Sequence, residues 1–464
     1  MAAPRKIDTI AAVATPPGTG GIGIIRISGP RALSILCHLF RSRQGQVKTS
    51  FQSHRFYYGT LVHHTGRVLD EVLAVYMRAP ATYTREDVVE LHSHGSWLVL
   101  QAVLGEVFRA GARPAEPGEF TKRAFLAGRI DLTQAEAVID LLAARTTGGM
   151  ELAVEQMQGR LAAELEPVQK ALARILAVVE VAIDFPDDDV EILESRELCT
   201  QLESEVLDRL DRLLLLADQG RVVREGVQVV IAGRPNVGKS SLLNALLREE
   251  RALVTDIPGT TRDTIEELIS VHGIPVHLVD TAGIHEQEDL VESLGIDRAR
   301  DKLAQADLVL FLIDARAGVT SQDLELYELV REKEHLVLLN KMDLVADQDP
   351  DTLAAGFATD RIVPISARTG RNIDALQEAI YRVITADMAM TERPACAPNI
   401  RHRTILEKTR AACLRLREAL INKVPADLVA VELQESLDIL GDIVGLTTPD
   451  DVLDIIFSEF CIGK

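Results

Sequence analysis

Along the first 125 residues, apolar and polar positions alternate in short runs, IGIIRIS, FYYGTLV, VLDEVLAVYM and DVVELHSHG, with a helical spacing in PRALSILCHLF. Alternation of this kind marks half-buried strands, so an α+β domain is expected there. From Thr133 to about Ile183 the apolar spacing changes to three and four, as in AVEQMQGRLAAEL and VQKALARILAVVEVAI, and the run closes at Asp184-Phe185-Pro186. A second helix ends near Gln219. Four short apolar runs follow, GVQVVIA, IPVHLV, HLVLL and RIVPI, each bounded by a turn. Beyond them RTILEKTRAACLRLREALI and DLVAVELQESLDILGDIVG are helical again, and TTPDDVLDIIFSEF begins with Thr448 before Pro449, the expected N-cap. The economical organisation is multidomain: an N-terminal α+β domain over 1–125, one discontinuous all-α helical domain over 126–219 and 388–464, and an α/β domain inserted over 220–387.

The turns that end the four central runs carry chemistry. After GVQVVIA comes Gly233-Arg234-Pro235-Asn236-Val237-Gly238-Lys239-Ser240, and from Ser241 a leucine-spaced helix starts. The pattern G-x-x-x-x-G-K-[ST] between a strand and a helix predicts a phosphate-binding P-loop. Its glycines let backbone N–H groups wrap the phosphates, Lys239 reaches β and γ oxygens, and Ser240 ligates Mg²⁺. IPVHLV ends in Asp280-Thr281-Ala282-Gly283, where Asp280 can hold Mg²⁺ through water and the Gly283 amide can sense a γ-phosphate. HLVLL ends in Asn340-Lys341-Met342-Asp343. An aspartate there accepts from the N1–H and exocyclic amine of guanine, whereas adenine has no donors at those places. RIVPI ends in Ser366-Ala367-Arg368, whose amides could meet guanine O6. Four such turns in this order, each at a strand's carboxyl end, predict a Ras-like GTPase domain with GTP as substrate.

The loop Asp256-Ile257-Pro258-Gly259-Thr260-Thr261-Arg262-Asp263 lies between the P-loop and Asp280. Thr261 could bind Mg²⁺ when a γ-phosphate is present, which makes this loop an order–disorder switch. Ile284 follows Gly283, so the water-positioning glutamine of Ras-like enzymes is absent; Glu286, Glu288, Asp289 and Glu292 are the nearby carboxylates. No arginine can be singled out as a finger. The Asn236 side chain offers a carbonyl oxygen beside the phosphates, which suits a monovalent cation in an arginine's place.

A chain of 464 residues is too long for one core and fits about three domains. No apolar run approaches a membrane span, and MAAPRKIDTI reads as neither a signal nor a transit peptide. Cys37, Cys199, Cys396, Cys413 and Cys461 are scattered without metal-ligand spacing, so a reduced, cytoplasmic protein is expected. The net charge of −20 argues against a generally basic nucleic-acid binder. It leaves RNA contact to local patches such as Arg401, Arg403, Lys408, Arg410, Arg415 and Arg417, for which a solvated helix face is the alternative. Gly18-Thr19-Gly20-Gly21-Ile22-Gly23 formally satisfies G-x-G-x-x-G, yet it precedes a strand instead of opening a helix, which excludes a dinucleotide fingerprint. His92 and His94 share one strand face and are expected to pack rather than bind metal.

ATPPGTGGIGIIRISG, PGEFTKRAFLAGRIDLTQAEAVIDLL, AIDFPDDD, GRPNVGKSSLLNAL, DIPGTTRD and Phe460-Cys461-Ile462-Gly463-Lys464 together resemble the MnmE (TrmE) family of tRNA-modifying GTPases, over essentially the whole chain. That resemblance implies a homodimer that works with a flavin- and NADH-dependent partner, MnmG, in a heterotetramer. The pair installs an aminomethyl or carboxymethylaminomethyl group on C5 of the wobble uridine of certain tRNAs. A tetrahydrofolate derivative (5-formyl- or 5,10-methylene-tetrahydrofolate) supplies the one-carbon unit and binds the dimerising N-terminal domain; K⁺ draws the GTPase domains together. Carried over by position, the K⁺ ligands are Asn236, Thr255, Ile257 and Thr260, Mg²⁺ falls to Ser240 and Thr261, and Glu292 orients water. GTP contacts then run over Asn236, Val237, Gly238, Lys239, Ser240, Ser241, Thr255, Asp256, Ile257, Pro258, Gly259, Thr260 and Thr261, besides the three later turns. Folate falls to Arg26, Glu90, Arg129 and Lys464; Arg129 stands where some members carry lysine. Cys461 is the candidate for chemistry in the tail. The competing expectation from another class is a ribosome-assembly or regulatory GTPase, which has no need of the glycine loop and FCIGK tail.

Overall fold

The computed structural model describes residues 8–184, 195–249, 266–280, 303–345, 349–353, 356–357, 359, 361–386, 394 and 396–464. The chain divides into two compact units, Met1–Ile139 with Asp438–Lys464, and Asp140–Leu437.

The second unit holds a six-stranded sheet in the order β13-β12-β11-β8-β10-β9. The strands are β8 (Val227–Ala232), β9 (Glu266–Val271), β10 (Ile274–Asp280), β11 (Leu308–Asp314), β12 (His335–Asn340) and β13 (Ile362–Pro364). All pairs are parallel except β9 with β10. Successive side chains on a strand point to opposite faces, so a sheet covered on both faces needs unbroken apolar strands. β11, Leu-Val-Leu-Phe-Leu-Ile-Asp, meets that demand: Leu308, Leu310 and Leu312 enter one core, and Val309, Phe311 and Ile313 the other. The first core is closed by Leu242 and Leu246 of helix Lys239–Glu249 and by Ile373, Leu376 and Ile380 of helix Ile373–Ala386. The carboxyl ends of the strands consequently align, with Asp280 opposite Ile231 and Asn340 opposite Asp314.

Helices Thr147–Met157, Arg160–Asp184, Asp208–Glu225 and Ile400–Ile421 also belong to this unit. Arg403, Arg410 and Arg417 on Ile400–Ile421 pair with Asp218, Asp211 and Glu203 respectively, and Arg415 pairs with Glu432 and Glu435. Most of the arginines in the expected RNA patch are therefore engaged by carboxylates of neighbouring helices, which removes their free positive charge from that face.

In the first unit a seven-stranded sheet runs β3-β4-β5-β6-β2-β1-β7. Its strands are β1 (Ile10–Val13), β2 (Gly20–Ser28), β3 (Phe40–Ser42), β4 (Arg55–Val62), β5 (Val68–Met77), β6 (Val88–Gly95) and β7 (Arg113–Pro114). The glycine loop does feed a strand, β2. Ile25 and Ile27 of β2 and Val89 and Leu91 of β6 pack under helices Ala32–Leu39 and Trp97–Arg109. The alternate residues Arg26 and Glu90 therefore lie on the opposite face, where Ile10, Ala12, Tyr83 and Phe120 form a smaller apolar cluster. The expected cap at Thr448 is a misreading. Helix Asp450–Ser458 starts after Pro449 without a side-chain cap, and the Thr448 hydroxyl donates to the Asp442 carbonyl at 3.1 Å.

Helix Glu119–Leu126 is fixed to this sheet by a partly buried charge network. Arg123 donates to Asp8 (2.7 Å), Glu119 (2.8 Å) and Glu86 (3.1 Å), and Arg113 to Asp8 and Glu119, both at 2.6 Å. Burial pushes the Asp8 and Glu119 carboxyls up, but the two guanidiniums outweigh it and hold both below the usual carboxylate range. Because these folded values are depressed, the network's stabilisation is complete above the ordinary carboxylate values, about 4, and drains away as pH falls through the lowered ones. Arg123→Met, which leaves the carboxylates facing each other, should cost about 3 kcal/mol at pH 7 in urea denaturation. It should also flatten the acid branch of the stability–pH curve. An unchanged midpoint at pH 7 would show the network to be idle.

Candidate active site

At the end of β8 the chain turns through Gly233 and Gly238, both with positive φ, and Asn236 sits in the left-handed region at φ 65°. Gly238 is compelled by space as well: a Cβ there would overlap Nδ2 of Asn340. The Lys239 ammonium donates to the carbonyls of Gly233 and Arg234 at 2.9 Å, which curls the loop around it, and helix Lys239–Glu249 begins at the same residue. Arg234 is anchored to the fully buried Asp323 at 2.6 Å; Asp323 closes a capping box with Thr320. Ser240 and Ser241 are exposed at the helix start, where N–H groups and the helix dipole favour an anion.

The loop after β12 is tied directly to this one. Asn340, 2% exposed, donates from Nδ2 to the Val237 carbonyl at 2.8 Å and accepts from the Ala367 N–H at 3.0 Å. Lys341, with φ 67°, donates to the Asn236 carbonyl at 2.8 Å and to Asp314 at 2.6 Å. Burial pushes the Asp314 carboxyl up, but hydrogen bonds from Lys341 and the Arg316 N–H outweigh it and hold it below the usual carboxylate range. Asp343 is exposed and accepts from the buried Ser366 hydroxyl at 2.7 Å. Ser241, Ala367 and Arg368 line a cleft of about 340 Å³ beside these loops. Thus Asn236, Val237, Gly238, Lys239, Ser240, Ser241, Asn340, Lys341, Asp343, Ser366, Ala367 and Arg368 come together, with the loops after β8, β12 and β13 joined by one buried amide. Asp280 ends β10 in the same sheet.

A second constellation forms in the first unit. Arg26 and Glu90 are register partners on β2 and β6, and their side chains pair at 2.9 Å. The Arg26 guanidinium lies 6.0 Å from the Tyr83 ring and 5.7 Å from Phe120, and the Arg129 guanidinium lies 4.7 Å from the same Tyr83 ring. Cation–π contacts of this kind stabilise by roughly 0.5–1 kcal/mol. The FCIGK segment closes on the same place: the Phe120 N–H donates to the Lys464 carbonyl at 3.2 Å, and Arg26 to the Gly463 carbonyl at 3.4 Å. Gly463 has φ 95°, and a Cβ would overlap the Val13 carbonyl, so glycine is needed for this approach. Cys461 is exposed.

Family models for the MnmE helical domain and for the GTP-binding protein TrmE N-terminus match residues 132–461 and 9–129. The chain is 52% identical over 464 residues to the tRNA modification GTPase MnmE of Desulfotalea psychrophila, covering 98% of each chain. It is 46% identical to that of Geotalea uraniireducens, covering 98% of this chain and 99% of the other. The chain belongs to the MnmE family of tRNA modification GTPases. Among solved structures it is similar to the G domain of the T. maritima FeoB iron transporter, 28% identical over 34% of this chain and 98% of that one, with a TM-score of 0.27.

The remaining residues carried over from the MnmE family, Thr255, Asp256, Ile257, Pro258, Gly259, Thr260, Thr261, Thr281, Ala282, Gly283 and Glu292, lie outside the described residues. So do Glu286, Glu288 and Asp289. Sequence reasoning missed Tyr83, Phe120, Asp314 and Asp323. Tyr83 and Phe120 read as ordinary apolar positions, and nothing local reveals that Arg234 and Lys341 need buried carboxylate partners. Of the two histidines only His92 packs, meeting the Phe56 ring at 5.2 Å; His94 is exposed and pairs with Asp70 at 2.7 Å.

Asp343→Asn should weaken GTP binding by about tenfold or more, because an amide N–H then faces guanine's donors. It should strengthen binding of xanthosine triphosphate, whose oxygen replaces the exocyclic amine. Competition titrations with a fluorescent nucleotide check both; unchanged preference would remove Asp343 from base recognition.

Proposed function

We propose that this chain is a K⁺-dependent GTPase whose nucleotide cycle serves modification of C5 of the wobble uridine of certain tRNAs. It would act in the cytoplasm as a homodimer joined to an MnmG-type, flavin-dependent partner in a heterotetramer. The observation that carries this reading is the meeting of Arg26, Glu90, Tyr83, Arg129 and the FCIGK segment in a protein that also holds a complete P-loop and guanine-reading loop.

Those residues suit a folate. Glu90 can accept from the amino and ring N–H groups of a pterin, the Tyr83 and Phe120 rings offer flat apolar surface, and the Arg26 and Arg129 guanidiniums suit the carboxylates of a glutamate tail. Such a carrier, when bound, supplies a one-carbon unit for attachment to the uridine. The protein's own part is to orient it: the Arg26–Glu90 pair fixes one edge, and the Lys464 side chain adds an ammonium from the docked tail. The exposed Cys461 thiol stands beside this cluster in sequence and is the tail's candidate for chemistry.

For nucleotide hydrolysis, Ser240 with Thr261 would hold Mg²⁺. K⁺ would be held by Asn236 with Thr255, Ile257 and Thr260, and Glu292 would orient water. The structural support is confined to Asn236: Lys341 holds its backbone carbonyl, so its exposed side-chain amide remains available to an ion. A cation there stabilises charge on the leaving phosphates, the role an arginine finger plays elsewhere. The domain spans 1–125, 126–219 with 388–464, and 220–387 complete the proposal.

The test has two arms. GTP hydrolysis by the full chain should be fast in K⁺ and slow in Na⁺ at equal ionic strength, and Asn236→Ala should abolish the difference. Deletion of Cys461–Lys464 should leave hydrolysis within about twofold, about 0.4 kcal/mol. The same deletion in cells should abolish wobble-uridine modification in mass-spectrometric tRNA nucleoside analysis. Equal rates in both salts would sink the K⁺ reading, and normal modified-nucleoside levels in the deletion strain would sink the role of the tail.

A further inference from the structure

In the first unit the turn between β4 and β5 meets helix Trp97–Arg109 in an arrangement that uses no residue of the sites already described. His63 and His64 are adjacent in sequence, and on a regular strand their side chains would point to opposite faces. Two features prevent that. The β4–β5 register slips at Leu61/Val62, and the chain then reverses in a tight turn, with the Gly66 N–H donating to the His63 carbonyl at 2.8 Å. The two imidazoles end up side by side with centroids 3.9 Å apart.

Both face one carboxylate. Glu106 is 4% exposed, on a helix face that also carries the fully buried Val103 and Val107. A carboxylate placed there is costly unless it is paired. Its Oε1 lies 3.0 Å from His64 Nδ1 and 3.4 Å from His63 Nε2, while Oε2 accepts from the His64 N–H at 3.0 Å. The ligand-capable atoms of the three residues all lie within 4.8 Å of one another. In a tetrahedral zinc site with bonds of about 2.0–2.1 Å, neighbouring ligand atoms stand about 3.3 Å apart. Both measured N···O separations bracket that value. The other nitrogen of His63, Nδ1, lies 2.8 Å from the Thr65 hydroxyl and 3.3 Å from the Thr65 N–H, contacts that fix the orientation of the ring.

We propose that His63, His64 and Glu106 form a site for a divalent transition-metal ion, with Zn²⁺ the best match to two imidazoles and one carboxylate. Arg109 is the group that competes for it. Its Nε lies 3.2 Å from the same Oε1, but the side chain is 61% exposed and swings into water at little cost. The ion ties the β4–β5 turn to the helix and leaves a coordination position open towards a cavity of about 350 Å³ that His38 and Arg41 also line.

The test uses the full chain, stripped with chelator and free of nucleotide, titrated with Zn²⁺ by calorimetry and with Co²⁺ by visible absorption. One equivalent should bind, and His63→Ala and His64→Ala should each weaken it at least tenfold. Arg109→Ala should bind as tightly as the natural chain or more so. These positions are partly exposed, so the variants keep the fold where Glu106→Gln risks it, and metal-free melting curves check that. Undiminished affinity in both histidine variants, weaker binding in Arg109→Ala, or binding lost in Cys461→Ser would each overturn the proposal.

Discussion

The side-chain amide of Asn340 is used twice inside the protein, donating to Val237 and accepting from Ala367, with almost no exposure to water. A buried amide left unpaired costs about 1–3 kcal/mol per group, so neither loop can drift without penalty. Through it the P-loop, the loop after β12 and the loop after β13 hold one geometry. Gly238 is glycine because this amide occupies the space a side chain would need. Lys341 repeats the tie one residue on, linking the Asn236 carbonyl to Asp314. The aligned carboxyl ends of the parallel strands bring these loops to one edge, and the amide sets their spacing.

The first unit is organised by a different constraint. Strand alternation puts Ile25, Ile27, Val89 and Leu91 into the core, which forces Arg26 and Glu90 to the other face. There they satisfy each other and leave Arg26 over two aromatic rings. A four-residue segment after a helix would ordinarily fray. Here Phe120 and Arg26 supply donors to its carbonyls, and Gly463 permits the close approach to Val13.

Much of this was legible in the sequence because it depends on local rules. The apolar runs of β8 and β12 and the alternation of β2 and β6 carry their own periods, and the P-loop glycines state their backbone demands outright. Thr448 was misread because an N-cap needs its side-chain oxygen to accept from the first N–H groups of the helix, and here the hydroxyl instead donates to a carbonyl six residues back. The arginines of Ile400–Ile421 could not be judged as an RNA surface, since their partners Asp211, Asp218 and Glu203 lie some two hundred residues away in sequence. His63 and His64 were passed over for a related reason. Adjacent residues share no strand face, and only the register slip and turn bring them onto a glutamate from another element.

The central claim is that one buried amide couples the P-loop to the loop after β12, the proposed phosphate and base sites. Fluorescent-nucleotide titration of Asn340→Ala, beside its thermal melting curve, tests it most directly. Losing both hydrogen bonds should weaken GTP and GDP binding by more than tenfold while the six-stranded sheet still melts cooperatively. Wild-type affinity for both nucleotides in a folded Asn340→Ala protein would contradict the account, since the two loops would then hold their geometry without it.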